Sequence, residues 1–472
     1  MSVEPGHDGA MATTRRGDAA RSPQPDAGRI ARLGRGAWTH LGILGTGGAL
    51  LGLFTAAIVA WQSAFSSFLW ADDGCGWDGV LYCNMASGAL ATTPYSRRPL
   101  VPWIVRFVVR PGTLLERFLV VDIVALVVAA AVMGALVSHL TRDVEHLWRR
   151  RSGIAVGMCI LAVTPWTLRF SLSYPSNTDA GALALGLCFV LLVMRDRIWL
   201  AVLVGFAACL AREEWGVIVI VVAVVDLGCT RRRLLARASI VVAGVVGLLI
   251  DFSLPNLGGE PPMTAVIAQW LTTHFLSASG LERTLWMVIT GLGLVPLLAL
   301  VHSHRVAHFR DAALIGAASV TLLGVAFAGG DDSERVMLPA AMLLTALALS
   351  MVVRARSTRL DLALLVLTGG SIAVWRPWAV APLPPTAWLT WFTPYYESSQ
   401  VFDQRLTLDG SLAAGALVLA GLLLAGMRWA GVAVPEQEVG GIGEDLPVSA
   451  PPGELCAPEG DEPVLAPAAS QR

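Results

Sequence analysis

The sequence predicts an all-α, polytopic helical membrane protein of about twelve transmembrane helices, and three observations predict it. The chain is 55% hydrophobic and 15% charged, with a mean hydropathy of +0.63, where a soluble domain carries about a quarter charged residues. Its apolar residues come in blocks and not periodically, as from Val120 to Leu140 or Ile240 to Ile250, which leave no polar face for water. Runs of about 18 or more apolar residues cross a bilayer, and a crossing segment must be helical because hydrocarbon satisfies no backbone hydrogen bond. Third, arginines gather in short turns between alternate blocks, as the positive-inside bias requires.

Taken in order, residues 1–37 are rich in Gly, Pro, Asp and Arg without apolar periodicity and read as a disordered cytoplasmic arm. Arg15, Arg16, Arg21, Arg29, Arg32 and Arg35 precede the first apolar run and hold the N-terminus inside. Residues 38–429 form the transmembrane domain. Its expected spans are 39–61, 117–140, 153–170, 180–194, 198–211, 215–228, 238–254, 284–301, 312–328, 338–353, 361–380 and 411–427. Arginines at 142 and 149–151, 195 and 197, 231–233 and 237, 305 and 310, and 354, 356 and 359 fall in the turns expected inside. An even count returns the C-terminus to the cytoplasm, where residues 430–472 read as a disordered tail. Arg212, Glu213 and Glu214 split the stretch 198–228 into two segments that are short for a bilayer of about 30 Å. A thin tilted pair and one broken helix both fit that stretch, and two spans preserve the arginine alternation. The expected outside loops are 62–116, 255–283 and 381–410.

The net charge of −1 implies no general attraction to nucleic acid. Every basic residue is an arginine, as a GC-rich bacterial genome encodes. The seven cysteines show no CxxC or zinc spacing. Cys75 and Cys83 share the first outside loop, and a disulfide and two free thiols are both open there.

That loop carries most of the chemistry. It reads Trp70-Ala-Asp72-Asp73-Gly-Cys75-Gly-Trp77-Asp78-Gly79-Val-Leu-Tyr82 and continues to Pro94-Tyr95-Ser-Arg97-Arg98-Pro99-Leu100. Carboxylates beside a membrane surface can take a proton from an acceptor or hold a divalent cation. Asp78 is the candidate general base, with Asp72 and Asp73 as alternatives and as the metal ligands if there is a metal. Arginine is the bidentate partner of phosphate, and Arg97 and Arg98 sit outside against the positive-inside bias. The apolar segment from Pro99 to Val109 is too short to span and reads as an interfacial or re-entrant helix. At other outer span ends lie Asp179, which also suits a helix cap, the triplet Arg212-Glu213-Glu214, and the loop Asp331-Asp332-Ser-Glu334-Arg335. Trp388, Trp391, Tyr395 and Tyr396 in the last loop suit either a sugar face or an interfacial aromatic belt. Neither a Walker motif nor a soluble nucleotide-binding domain is present, so a nucleotide-sugar donor used in the cytoplasm is not expected.

In four places the chain resembles the GT-C superfamily of membrane glycosyltransferases. Asp72-Asp73 and Asp78-Gly79-x-x-Tyr82 are similar to the acidic first-loop motif that supplies the base. Pro94-Tyr95-x-x-Arg98-x-Leu100 is similar to a pattern in multi-span mannosyltransferases. Pro175 to Asp179 matches a Pro-x-x-x-Asp at a span head, and Asp332-x-x-Arg335-x-x-x-Pro339 is similar to a late-loop element. The resemblance covers about residues 39–355. It implies a sugar donor carried on a polyprenyl phosphate, inversion at the anomeric carbon, and an acceptor reached from the extracytoplasmic face of a bacterial plasma membrane. Asp-Gly stands where the protein O-mannosyltransferases have Asp-Glu, and no large extracytoplasmic C-terminal domain follows.

The expected function is therefore transfer of a sugar from a polyprenyl-phosphate donor. Asp78 (or Asp72 or Asp73) is the base, and Arg98, Arg97, Arg335 and Arg212 are donor-phosphate ligands. Tyr82, Tyr95, Asp179, Glu213, Asp332 and Trp391 complete the pocket. Expected partners are the lipid-linked sugar and membrane lipids, and a divalent cation is left open. A transporter or lipid flippase and a non-catalytic membrane scaffold are the alternatives.

Overall fold

The computed structural model describes residues 78–92, 95–110, 112–164, 175–226, 231–255, 305–328 and 333–354, with a few single residues between them. Every regular element among the described residues is helical. A short α1 (Asp78–Ser87) leads through a 3-10 turn (Tyr95–Arg97) to α2 (Leu100–Phe107). Eight longer helices follow: α3 (Leu114–Leu140), α4 (Leu147–Val163), α5 (Asp179–Met194), α6 (Ile198–Ala211), α7 (Glu214–Val225), α8 (Arg231–Ser253), α9 (Phe309–Ala328) and α10 (Ser333–Arg354). They fall on eight of the twelve expected spans. The segments 39–61, 284–301, 361–380 and 411–427 lie outside the described residues, as do both termini.

Four described helices are long and apolar enough to cross a bilayer: Leu114–Leu140, Leu234–Ser253, Phe309–Ala326 and Val336–Arg354. The outward surface is apolar as well. Trp199 and Leu203 on α6, Leu235 and Leu249 on α8 and Val320 on α9 are all exposed, which suits lipid and not water. The chain is a helical membrane protein.

Two boundaries differ from expectation, each for a physical reason. Helices α4 and α8 begin in their arginine clusters, at Leu147 and Arg231 and not at 153 and 238. Arginine is a good helix former, so the helix continues past the apolar run. Helix α4 also stops at Val163, short of 170, because Thr164 precedes Pro165 and is extended (ψ 129°), the region that a following proline favours.

The split stretch 198–228 is a helical hairpin. Arg212 leaves the α region (φ −155°, ψ 131°) between α6 and α7. Asp196, just before α6, and Asp226, just after α7, both meet Arg310 and Arg237, so the two helices return to one end of the bundle. The same end is laced by Arg142 to Asp311 and Arg354 to Asp143.

Helix lengths place the opposite end's recess. At 1.5 Å per residue, α5, α6 and α7 are about 24, 21 and 18 Å long, against about 40 Å for α3 and 33 Å for α10. Aligned at the Asp196–Asp226 end, the three short helices stop below their neighbours at the other. Helix α10 forms the centre, with 94% of its apolar stretch buried, whereas that of α8 is 33% buried and peripheral. Close approach relies on glycine. A Cβ on Gly186 would lie 1.8 Å from the Trp215 ring, and one on Gly216 would lie 2.4 Å from Leu248.

Candidate functional site

The recess is roofed by the first loop. A disulfide joins Cys75 to Cys83 and ties the approach of the chain to the second turn of α1. Asp78 opens α1, and Tyr82 follows four residues later, which puts both positions on one helix face. Tyr82 is buried and meets Tyr95 edge-to-face, with ring centroids 5.7 Å apart. The 3-10 turn then delivers Arg98 into the recess, its guanidinium 5.9 Å from the Tyr95 ring centre. Helix α2 lies alongside. Val101 and Val105 face inward with Phe118, while Trp103, Phe107 and Val108 are exposed, as an interfacial helix requires.

Inside the recess, two arginines and three carboxylates interlock. Arg98 donates from Nε and Nη2 to the two oxygens of Glu213, at 2.8 and 2.9 Å, and from Nη1 to the Tyr82 hydroxyl at 3.2 Å. Arg212 donates from Nε and Nη2 to Glu214, at 3.2 and 2.6 Å, and from Nη1 to Asp179. One ion-pair distance of 3.9 Å, Arg98 to Glu214, links the halves. The Asn177 side chain accepts from the Asp179 backbone N–H at 2.6 Å and fixes the start of α5. Burial pushes the Glu213 carboxyl up, but the charge and hydrogen bonds of Arg98 outweigh it and hold the group below the ordinary carboxylate range. Burial likewise opposes the Arg98 charge, and Glu213 and Tyr82 more than restore it.

A cavity of about 20 Å³, room for roughly one water, adjoins the cluster. Asp179, Arg212, Glu214 and Trp215 line it from one side, and Val336 and Pro339 of α10 from the other. Asp122 of α3 is fully buried nearby.

The sequence-predicted residues thus divide. Arg98, Arg212, Glu213, Asp179, Tyr82 and Tyr95 converge. Arg97 turns away and stacks 4.4 Å above the Phe252 ring on α8. Arg335 belongs to the first turn of α10, whose Val336 and Pro339 reach the cavity. Asp72, Asp73, Asp332 and Trp391 lie outside the described residues. Sequence reasoning gave Glu214 no separate role and missed Asn177, Trp215 and Asp251. Asp251, buried in α8 near Glu213 and Glu214, is signalled as an acid inside an apolar run. Among the described residues no three His, Cys, Asp or Glu side chains are placed to hold a metal ion.

The arrangement is a desolvated, preorganised set of charges in which both guanidiniums are already engaged by carboxylates. Such a set can exchange a carboxylate for an incoming anion, or pass a proton among its acids. No family model matches the chain, and neither a curated protein nor a solved structure does.

Proposed function

We propose that the chain is a membrane glycosyltransferase of the GT-C kind, using a polyprenyl-phosphate sugar at the Arg98 end of the bundle, outside the cytoplasm. The observation that carries the reading is the convergence of Arg98 and Arg212 in one buried recess beside the lipid-level helix α2. A donor anchored in the bilayer would slide its phosphate past α2 to the two guanidiniums. There it replaces a carboxylate, so Glu213 and Glu214 act as resting counter-ions. Arg335, one residue before the cavity wall, is the third phosphate ligand.

In the transfer step Asp78 removes the proton from the acceptor hydroxyl. The oxygen attacks the anomeric carbon from the face opposite the phosphate, and the bond from that carbon to the phosphate oxygen breaks. Polyprenyl phosphate leaves with the bonding electron pair, and the product is inverted. The guanidiniums stabilise the charge that grows on the departing phosphate. The test is transfer by reconstituted protein. Asp78→Asn lowers the rate about a hundredfold or more. If Asp78→Asn and the Asp72→Asn/Asp73→Asn pair all keep the normal rate, the base assignment is wrong.

One observation favours a second reading, a proton-coupled transporter: Asp122 is fully buried about two turns into α3, beside the recess, and ionisable groups inside a span often relay protons. Proton-coupled uptake into vesicles that Asp122→Asn and Glu213→Gln both abolish would support it over transfer.

A further inference from the structure

The opposite end of the bundle holds a second set of charges that the proposed reaction does not use. Its turn, Arg195-Asp196-Arg197, joins α5 to α6. Asp196 takes a left-handed backbone (φ 55°) that non-glycine residues rarely adopt. Its carboxylate is bound by Arg237 at 2.6 Å and by Arg310 at 3.0 Å, so the turn is fixed from two sides. Asp226 holds the same two arginines, at 2.5 and 2.6 Å, and Asp311 holds Arg142 at 3.1 Å.

Arg195 and Arg197 are different. Among the described residues neither has a carboxylate partner, although both line an open cleft of about 560 Å³ with Arg142, His308 and Arg310 and with Asp196 and Asp311, the two carboxylates that the other arginines hold. Arg195 is half-buried. Burial and the neighbouring Arg197 charge both depress its pKa.

The surroundings of the cleft are apolar. Phe309 on its rim is 83% exposed, and Trp199, two residues past Arg197, is 74% exposed. An apolar groove of about 510 Å³ runs between α6 and α8, lined by Val202, Leu203, Phe206, Val242 and Val246. It starts at Ala238, next to the Arg237 that binds Asp196. The Asp196–Arg237 pair thus ties a residue that lines the cleft to the residue next to Ala238 in the groove.

We propose that this end binds an anionic phospholipid, with its headgroup phosphate on Arg195 and Arg197 and one acyl chain in the α6/α8 groove. Two guanidiniums with no carboxylate partner among the described residues call for phosphate, and a groove with almost no polar wall calls for hydrocarbon. Basic pockets between spans hold such headgroups, at about 1 kcal/mol for each arginine. The site is separate from the Arg98 recess and would stand if that reading fell.

The test compares full-length protein in nanodiscs of phosphatidylcholine carrying a minor fraction of phosphatidylglycerol, with retained lipids counted by native mass spectrometry. Wild type retains phosphatidylglycerol selectively. Arg195→Gln/Arg197→Gln lowers that selectivity about thirtyfold, the factor for two arginines, while Arg151→Gln, an exposed arginine of α4 outside the cleft, lowers it less than twofold. Leu203→Trp, which fills the groove, lowers retention of both lipids. Melting curves show that each variant is folded. Three results overturn the proposal: no selectivity in wild type, an equal loss from Arg151→Gln, or millimolar inorganic phosphate displacing the lipid while Leu203→Trp changes nothing. The last would identify a free-phosphate site.

Discussion

Arg98 and Glu213, 115 residues apart in sequence, are joined by two hydrogen bonds of 2.8 and 2.9 Å in the recess above α6 and α7. The pair fastens the first loop to the bundle. Both side chains are nearly out of contact with the surroundings, at 10% and 14% exposure. Breaking one partner therefore strands a buried charge. Arg98→Met is expected to lower stability by about 3–5 kcal/mol. Arg98→Met/Glu213→Met recovers most of the loss, because both charges go together. A double-mutant cycle from unfolding in detergent measures the coupling. Additive losses would show that the two groups do not interact.

The exchange of carboxylate for phosphate makes a separate prediction. Glu213→Gln removes the counter-ion of Arg98 and leaves its guanidinium free for a lipid-borne phosphate. Affinity for a polyprenyl-phosphate sugar rises, by about tenfold for a gain of roughly 1.4 kcal/mol. Isothermal titration in detergent reads it, and an unchanged or weaker affinity would mean that the phosphate does not contact Arg98.

Trp215 packs its ring against Gly186, where an added Cβ would approach to 1.8 Å. Gly186→Val is therefore expected to displace the ring, lower stability by roughly 1–3 kcal/mol or more, and disturb the cavity that Trp215 lines. Gly186→Ala/Trp215→Leu, which removes the obstructing ring, unfolds at a higher temperature than Gly186→Ala alone. Equal melting of the two would place the strain elsewhere.

At the other end, Asp143 and Asp196 set an acid limit. Burial alone would raise both carboxyls. The hydrogen bond from Arg354 outweighs burial at Asp143, and Arg237 with Arg310 outweigh it at Asp196, so both lie below the ordinary value. The unfolded value is about 3.9. A depressed native pKa contributes stability that is present above about pH 4 and is lost as pH falls through the native values. The melting temperature should be level between about pH 7 and 5 and fall below about 4. Asp143→Asn/Asp196→Asn should melt lower at neutral pH and show a shallower acid decline. A decline as steep as in wild type would assign the acid sensitivity to other groups.

The cysteine pair makes a fourth prediction of stability. The bond joins residues eight apart in sequence, worth roughly 2–3 kcal/mol on loop entropy. Cys75→Ser/Cys83→Ser is expected to lose about that much and to loosen α1, where Tyr82 meets Arg98. Quenching of Trp77 fluorescence before and after reduction follows the loop. Identical quenching and melting would mean that the bond constrains nothing.

Much of this architecture was legible in the sequence, because membrane helices announce themselves by long apolar runs. Helix α6 matched its expected bounds at Ile198–Ala211. Helix ends were less legible where arginines extend α4 and α8 beyond the apolar run. The triplet Arg212-Glu213-Glu214 was visible as charge in a hydrophobic stretch. Its pairing was not. Arg212 is extended while Glu213 is helical, so adjacent residues serve different partners: Arg212 meets Asp179 and Glu214, and Glu213 meets Arg98. Only the three-dimensional approach of the first loop decides that, and no local periodicity encodes it. Arg97 and Arg98 looked equivalent for the same reason, yet one stacks on Phe252 and the other enters the recess.

The most direct test of the central claim is binding of a panel of polyprenyl-phosphate sugars to purified protein, wild type beside Arg98→Met/Glu213→Met. The double variant removes the Arg98 guanidinium together with its counter-ion and leaves the Arg212, Asp179 and Glu214 set in place. The transferase account predicts saturable binding of at least one donor to wild type, weakened about tenfold or more in a double variant that still unfolds cooperatively. Equal binding by both proteins, or no binding of any donor to folded wild type, would contradict it.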